Sequence, residues 1–382
     1  MLTPEAIARF EKQQYRIVGN HSGVKVCGWT KNMIKGEGGC YKLKFYGIMS
    51  HQCLQMTTSF SCSNRCVFCW RDYKAPTSKE WKWAIDEPEF ILEGSLKAQK
   101  KLLEGFGGNE KANAQAYEQS KEVRHVALSL TGEPIQYPRI NELIDSFHKK
   151  RISTFLVTNS QQDEEIKNLH EITQLYLSVD APNKKLLKEI DRPLNSDYWE
   201  RFNNSLDYMA KKKGRTAMRI TMIKTLNDVE PENYAKFIKK ADVDIVEVKG
   251  YMHIGASQGR LSRECMPDHS EVIDFAKTIL PFIDNYELIA EHKPSRVVLI
   301  VKKEFKQDGK WKTWIDFDKF FEQVETHSVD KFSYCKETPK NLLGFSQIKN
   351  ERINGRSSFQ IENDKETGFK YICETGDESK LE

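Results

Sequence analysis

Six of the nine cysteines fall within residues 27–69, as Cys27, Cys40, Cys53, Cys62, Cys66 and Cys69; the other three, Cys265, Cys335 and Cys373, are scattered. Clustered thiols in a chain without a secretory signature bind metal rather than pair as disulfides, because the cytosol keeps thiols reduced. The segment Cys62-Ser63-Asn64-Arg65-Cys66-Val67-Phe68-Cys69 puts three thiolates on one tight loop, directly after an apolar run. A structural zinc takes four closed ligands, and so does a 4Fe–4S cluster that only carries electrons. Three ligands leave one metal position open to a substrate or cofactor. The competing reading of this loop is a zinc site that borrows Cys53. Cys27, Cys40 and Cys53 form a second set, with twelve residues between successive members. Those intervals are too long for one loop, so tertiary structure must gather the three. Taken alone, the second set reads as chance spacing with a structural zinc completed by His21 or His51.

The elements that must position these thiols alternate along the chain. Strands are predicted at Leu54–Phe60, Val123–Thr131, Ser153–Asn159, Gln174–Val179, Thr216–Lys224 and Val243–Lys249. Helices are predicted near Glu87–Glu104, Arg139–Lys149, Gln162–His170, Lys184–Ile190, Asp197–Lys212 and Pro231–Ala241. This alternation implies parallel βαβ units, in a doubly wound sheet or a partial barrel. Small polar residues leave three successive strands at Thr131-Gly132-Glu133-Pro134, Thr158-Asn159-Ser160 and Ser178-Val179-Asp180. The carboxyl ends of strands are where such folds bind ligands. Residues 105–122 read as a polar insertion, the aromatic stretch Trp311–Phe321 as a small appended module, and 362–382 as a frayed polar tail.

Composition narrows the classes further. The chain has 382 residues, 39% hydrophobic and 30% charged, which suits a globular core and excludes disorder. Its longest apolar run, Val297–Val301, is far short of a bilayer crossing, and the N-terminus has no signal peptide, so a cytoplasmic protein is expected. No Walker loop or Gly-rich dinucleotide fingerprint is present. The net charge is only +4, yet residues 1–80 carry twelve Lys or Arg against five Asp or Glu. Such a basic third suits a phosphate-rich partner, although lysines also serve simply to solubilise a surface.

The CxxxCxxC spacing with Phe68 before the last cysteine resembles the radical S-adenosylmethionine (SAM) superfamily. The resemblance implies that Cys62, Cys66 and Cys69 hold a 4Fe–4S cluster whose fourth iron chelates SAM. Reductive cleavage of SAM then yields a deoxyadenosyl radical, chemistry that belongs to the cofactor. Thr131-Gly132-Glu133-Pro134 resembles the superfamily's GGE-type motif, so the Gly132 backbone and Glu133 are expected at the methionyl amino group. Thr131 departs from the usual first glycine. By the same likeness Asn159, Ser178 and Asp180 fall at carboxylate and ribose contacts. The implied architecture is a partial (β/α)6 TIM-like barrel, α/β in class.

Both cysteine sets together, with Tyr41-Lys42-Leu43-Lys44-Phe45-Tyr46-Gly47, Ser50-His51-Gln52-Cys53, Trp70-Arg71 and Val246-Glu247-Val248-Lys249-Gly250, resemble the tRNA 4-demethylwyosine synthase family of wyosine-base biosynthesis. The likeness runs from about residue 20 to 350. It implies an N-terminal extension at 1–52, a barrel at 53–302, a wyosine or tRNA-binding module at 303–361 including Thr313-Trp314-Ile315-Asp316, and a tail at 362–382. The family condenses 1-methylguanosine of tRNA(Phe) with pyruvate, so the resemblance assigns Cys27, Cys40 and Cys53 to a second 4Fe–4S cluster. Its open iron is expected to orient pyruvate. Eukaryotic members carry a flavodoxin-like domain; with no room for one before Cys27, an external ferredoxin- or flavodoxin-type donor is expected. Lys42 and Lys249 are the candidate Schiff-base lysines, against a reading of both as surface or phosphate-contacting ammonium groups. Arg219, Lys224 and His253 are lesser site candidates. Trp70, Arg71, Tyr73 and Lys74, alternating aromatic and basic, suit a splayed anticodon loop; Trp81 and Trp83 suit it or simple core packing. Two other classes compete: a radical SAM enzyme acting on a peptide or metabolite, and a zinc-stapled nucleic-acid-binding protein without catalysis.

Overall fold

Apolar strands separated by helix-length segments cannot pair as tight hairpins and are driven to parallel pairing through helical crossovers. The computed structural model describes residues 2–345, 359–362 and 370–373. Its main sheet has ten strands. β1 (Arg16–Val18) and β2 (Ser22–Val24) form an antiparallel edge beside β3 (Cys53–Thr57). From β3 the sheet continues in parallel through β4 (His125–Leu128), β5 (Ser153–Thr158), β6 (Gln174–Ser178), β7 (Arg215–Met222) and β8 (Ile245–Gly250). β9 (Tyr286–His292) and β10 (Val297–Lys302) are antiparallel, with β10 lying next to β8. The order β1-β2-β3-β4-β5-β6-β7-β8-β10-β9 does not close on itself, which is the open, partial barrel. All six expected strands are the six parallel ones, but the β9–β10 pair was not among them.

The helices are α1 (Pro4–Lys12), α2 (Gly28–Ile34), α3 (Tyr41–Tyr46), α4 (Pro88–Leu103), α5 (Ala114–Ser120), α6 (Ile140–Lys149), α7 (Asp163–Asn168), α8 (Lys184–Asp191), α9 (Tyr198–Met209), α10 (Pro231–Ala241), α11 (His269–Ile279) and α12 (Phe317–Glu325). The stretch expected as a polar insertion carries α5, capped by the Asn113 side chain.

Strand alternation divides the core into two faces. Leu54, Leu128, Leu156, Leu177, Ile220 and Val248 pack outward on the helix layer. Phe155, Val157, Tyr176, Ala217 and Ile245 face inward, where Tyr41, Phe45 and Tyr46 of α3 pack against them. In β8, period 2 therefore turns Glu247 and Lys249 into the barrel along with Ile245. The aromatic module seats on the same interior helix. Thr313 donates to the Phe45 carbonyl at 2.6 Å and the Trp314 indole to the Lys44 carbonyl at 3.1 Å. The fully buried Arg215 returns the grip by donating to the Thr313 carbonyl at 2.7 Å. At the junction of module and polar tail, the backbones of β15 (Phe359–Glu362) and β16 (Lys370–Cys373) pair antiparallel, after the short ladders β11 (Lys306–Gln307) with β12 (Lys310–Trp311) and β13 (Trp314–Ile315) with β14 (Cys335–Lys336). The frayed tail expected at 362–382 otherwise lies outside the described residues. Among the described residues no helix is long and apolar enough to cross a membrane.

Candidate metal and cofactor site

The Cys62–Cys69 loop leaves the carboxyl end of β3 and is held from several sides. The Arg65 and Val67 amides donate to the Asp191 and Ile190 carbonyls at 3.0 and 2.8 Å, and the Leu194 amide donates back to the Ser63 carbonyl at 2.8 Å. Arg260 reaches across to donate to the Val67 carbonyl at 3.0 Å and to the Cys69 carbonyl. Arg71, expected on a tRNA-facing surface, is instead buried. Its guanidinium donates to the carbonyls of Phe60 and Pro76 at 3.1 and 2.9 Å, because an arginine fork satisfies several converging backbone acceptors at once.

The three thiols of this loop face one another closely enough to interact electrostatically, and all are free. Burial pushes Cys62 up to about 11 and Cys66 well above the ordinary thiol range, so both carry protons until a metal displaces them. The Asp191 carboxyl lies against Cys66 and near Asp180; one of its oxygens is buried without a partner.

The neighbouring strand ends form a cradle. Gly132 has φ +67°, and a Cβ there would lie 1.9 Å from the Ser59 carbonyl oxygen, so only glycine lets this turn approach the loop after β3. Glu133 follows with its amide donating to the Ser61 carbonyl at 2.6 Å. One Glu133 oxygen accepts from the Asn159 amide at 3.0 Å, while the other is buried with no partner. Asn159 also directs its side-chain amide at the Cys62 sulfur at 3.4 Å. Asp180 is tied to the Thr221 amide at 2.9 Å, and Ser178 pairs with Arg219 across β6 and β7. Phe68 packs half-buried on the main core. A carboxylate oxygen waiting for a donor, a glycine cradle and three convergent thiols fit a cluster-bound SAM.

Burial holds the Glu133 carboxyl up at about 8. A carboxyl raised in the folded state destabilises it once ionised in the unfolded chain, so the cost begins near the unfolded value of about 4.3 and levels off above about 8. Glu133→Gln is therefore expected to raise the melting temperature by several degrees at about pH 8.5 and by less at about pH 5.5. The same change should weaken SAM binding to the cluster-loaded protein by about tenfold or more, through loss of a charge-assisted acceptor. Melting curves at both pH values check the first effect and calorimetric titration the second.

The second set shows why its spacing is regular. Cys27 is the N-cap of α2, Cys40 is the N-cap of α3, and Cys53 opens β3. Each thiol thus sits at the start of an element, two of them against free helix amides that favour a thiolate. Cys40 interacts with both Cys27 and Cys53, and Lys42 is a cation felt by all three. Burial holds Cys40 and Cys53 up at about 12. The histidines that a zinc reading requires are turned elsewhere. His21 contacts the Thr58 carbonyl at 2.7 Å, and His51 the Gln119 side chain at 2.8 Å. Among the described residues no group of three or more His, Cys, Asp or Glu that could hold a metal ion is found.

Between the two sets lies a polar interior. The Lys42 ammonium sits 4.7 Å from the Tyr176 ring centre and 5.5 Å from that of Phe155. Lys249 donates to the Ser295 carbonyl at 2.6 Å, and burial lowers its amine to about 8. Glu247, fully buried, accepts from Tyr46 at 2.6 Å and Tyr41 at 3.1 Å, which clamps α3 to the barrel. Elsewhere Lys224 pairs with Glu271 at 2.5 Å and His253 contacts the Tyr251 hydroxyl at 3.2 Å, so neither joins the two cysteine sets. Trp70 stacks on Tyr15 with ring centres 6.2 Å apart, Tyr73 lies under the Arg260 guanidinium at 4.1 Å, and Lys74 is exposed. Trp81 packs on His21 and Tyr137, which is a core role.

Residues 56–238 match the Radical SAM superfamily model, and residues 240–302 match that of wyosine base formation. A solved structure of TYW1 with a lysine–pyruvate adduct bound aligns at 36% identity and TM-score 0.72, over 80% of this chain and 97% of that one. The chain belongs to the tRNA 4-demethylwyosine synthase family. An archaeal TYW1 crystal structure aligns at 33% identity and TM-score 0.66, over 81% and 99% of the two chains. The Xenopus laevis tRNA 4-demethylwyosine synthase is 43% identical over 351 residues, covering 90% of this chain and 48% of its own length. The Oryza sativa synthase is 46% identical over 374 residues, covering 94% and 57%. The chain spans about half the length of such curated relatives. The wyosine match falls on the segment from the end of α10 through β10, and stops short of Thr313–Asp316.

Sequence reasoning missed Asp191, Arg260 and the anchoring role of Glu247. The last had a signal: charged residues on alternate positions of a buried strand must share the interior face.

Proposed function

We propose that this chain converts 1-methylguanosine of tRNA(Phe) into 4-demethylwyosine by condensation with pyruvate. The observation that carries this reading is the pair of cysteine sets, one beside the Gly132–Glu133 cradle and the other around Lys42. A family relative captured with a lysine–pyruvate adduct supports it. Cys62, Cys66 and Cys69 would hold the SAM cluster, and Cys27, Cys40 and Cys53 a second 4Fe–4S cluster. When bound and reduced by a low-potential donor, the first cluster would supply a deoxyadenosyl radical from SAM. Glu133 would accept the methionyl ammonium, and Asn159, Ser178 and Asp180 would contact the rest of SAM. Lys42 takes the keto carbon of pyruvate as an imine, releasing water and fixing the three-carbon unit in the interior. Lys249, with an amine near neutrality, suits proton transfer during ring closure.

The tRNA surface is read as Trp70, Tyr73 and Lys74, joined by the exposed Arg65 and Lys79 around the cluster loop. If about three phosphates are neutralised there, tRNA affinity falls roughly twentyfold to fortyfold for a fourfold rise in salt. Filter binding at two ionic strengths checks this, and a flat response contradicts it. The function itself is tested by mass spectrometry of tRNA(Phe) lacking wyosine bases after anaerobic incubation with SAM, pyruvate and dithionite. The expected product is 4-demethylwyosine; unchanged 1-methylguanosine with active SAM cleavage overturns the proposal.

A further inference from the structure

We propose that Arg219 is the receptor for the carboxylate of the keto-acid substrate, an inference that rests on the function proposed above. Arg219 lies on the interior face of β7, in register with Ser178 on one side and Glu247 on the other. It therefore stands between the cradle near Cys62 and the lysine-lined interior. Its guanidinium lies among Tyr41, Glu247 and Asp180, with the Tyr41 hydroxyl as a hydrogen-bond partner, but its Nε–H is buried and has no acceptor. The carboxylates nearest to it are already engaged: Asp180 by the Thr221 amide at 2.9 Å, and Glu247 by the hydroxyls of Tyr46 at 2.6 Å and Tyr41 at 3.1 Å. Lys249 is likewise directed at the Ser295 carbonyl at 2.6 Å.

A buried donor without a partner is costly, so a fold that keeps one on the interior face of a strand is built for an arriving acceptor. The planar guanidinium matches a carboxylate with two parallel hydrogen bonds, which an ammonium cannot do. The chemistry divides accordingly. The Lys42 nitrogen bonds to the keto carbon and the carbonyl oxygen leaves as water, with no change in oxidation state. The carboxylate keeps its charge while the imine forms and needs a fixed partner beside that carbon. Arg219 would thus select 2-oxo acids over neutral carbonyl compounds.

The test traps the imine on the purified full chain with borohydride, maps the adduct by peptide mass, and follows trapping against pyruvate concentration. Wild type should saturate and should prefer pyruvate over pyruvamide. Arg219→Gln should raise the half-saturating pyruvate at least tenfold and lose that preference, and Arg219→Lys should fall between. Half-saturation within twofold of wild type in both variants, an unchanged preference, or a shift confined to SAM binding overturns the assignment of Arg219. If Arg219→Gln fails to fold, Arg219→Lys alone decides by the same criteria. Wild type that traps no pyruvate at all overturns the underlying function and this inference with it.

Discussion

Alanine at Cys62, Cys66 or Cys69 should abolish reductive cleavage of SAM, whereas alanine at Cys27, Cys40 and Cys53 together should leave cleavage measurable. The two changes should look alike in iron content, each lowering reconstituted iron from about eight to about four per chain. Their difference comes from position. The first loop lies against the Gly132 turn and the partnerless Glu133 oxygen, the parts proposed above to receive SAM. The second set is gathered by the starts of α2, α3 and β3, and β3 alone puts roughly 13 Å of strand between Cys53 and Thr57. Quantifying deoxyadenosine by chromatography after anaerobic reconstitution reads the outcome. Loss of cleavage in the Cys27, Cys40 and Cys53 triple variant would mean that the two sets do not work separately.

That division was visible in the sequence only in part. CxxxCxxC is a local pattern, and the loop after β3 could be placed because strand and loop are adjacent in the chain. The GGE-like turn followed in the same way, since Gly132 and Glu133 leave an apolar run. The residues that hold these parts in place come from far away. Asp191 reaches Cys66 from the end of α8, and Arg260 reaches the Cys69 carbonyl from a loop after β8. Neither has a periodic or motif signal: Asp191 meets Cys66 from more than a hundred residues away, and the backbone carbonyls that Arg260 holds leave no trace in residue type. Arg71 shows the converse. Its alternation with aromatic residues resembled a nucleic-acid surface, yet three inward carbonyls claim its guanidinium. The β9–β10 pair escaped because its apolar run at Val297–Val301 follows a parallel series and reverses direction at the sheet edge. The seating of Thr313 and Trp314 on α3 also joins segments about 270 residues apart.

Replacing Lys42 with Ala should eliminate borohydride-trapped pyruvate and reduce 4-demethylwyosine formation by roughly a thousandfold or more, while SAM cleavage persists. Both lysines are turned into the barrel, but their surroundings differ. The Lys42 ammonium faces aromatic rings and the three thiols of the second set, with no hydrogen-bond acceptor among the described residues. Lys249 already has the Ser295 carbonyl. Lys249→Ala should therefore leave trapping at Lys42 intact and lower product formation by a smaller factor, about tenfold to a hundredfold, as loss of an acid or base does. Lys42 is also placed by more than its own side chain. It stands in the first turn of α3, which Glu247 holds through Tyr41 and Tyr46 and which Thr313 and Trp314 hold from the other side. Glu247→Ala should accordingly lower trapping at Lys42 without touching pyruvate, with Glu247→Gln recovering part of it because an amide oxygen can still accept from one tyrosine. Peptide mapping of the trapped adduct decides between the lysines: a label on Lys249 in wild type would exchange their roles and remove the reason for α3 being gripped from both sides.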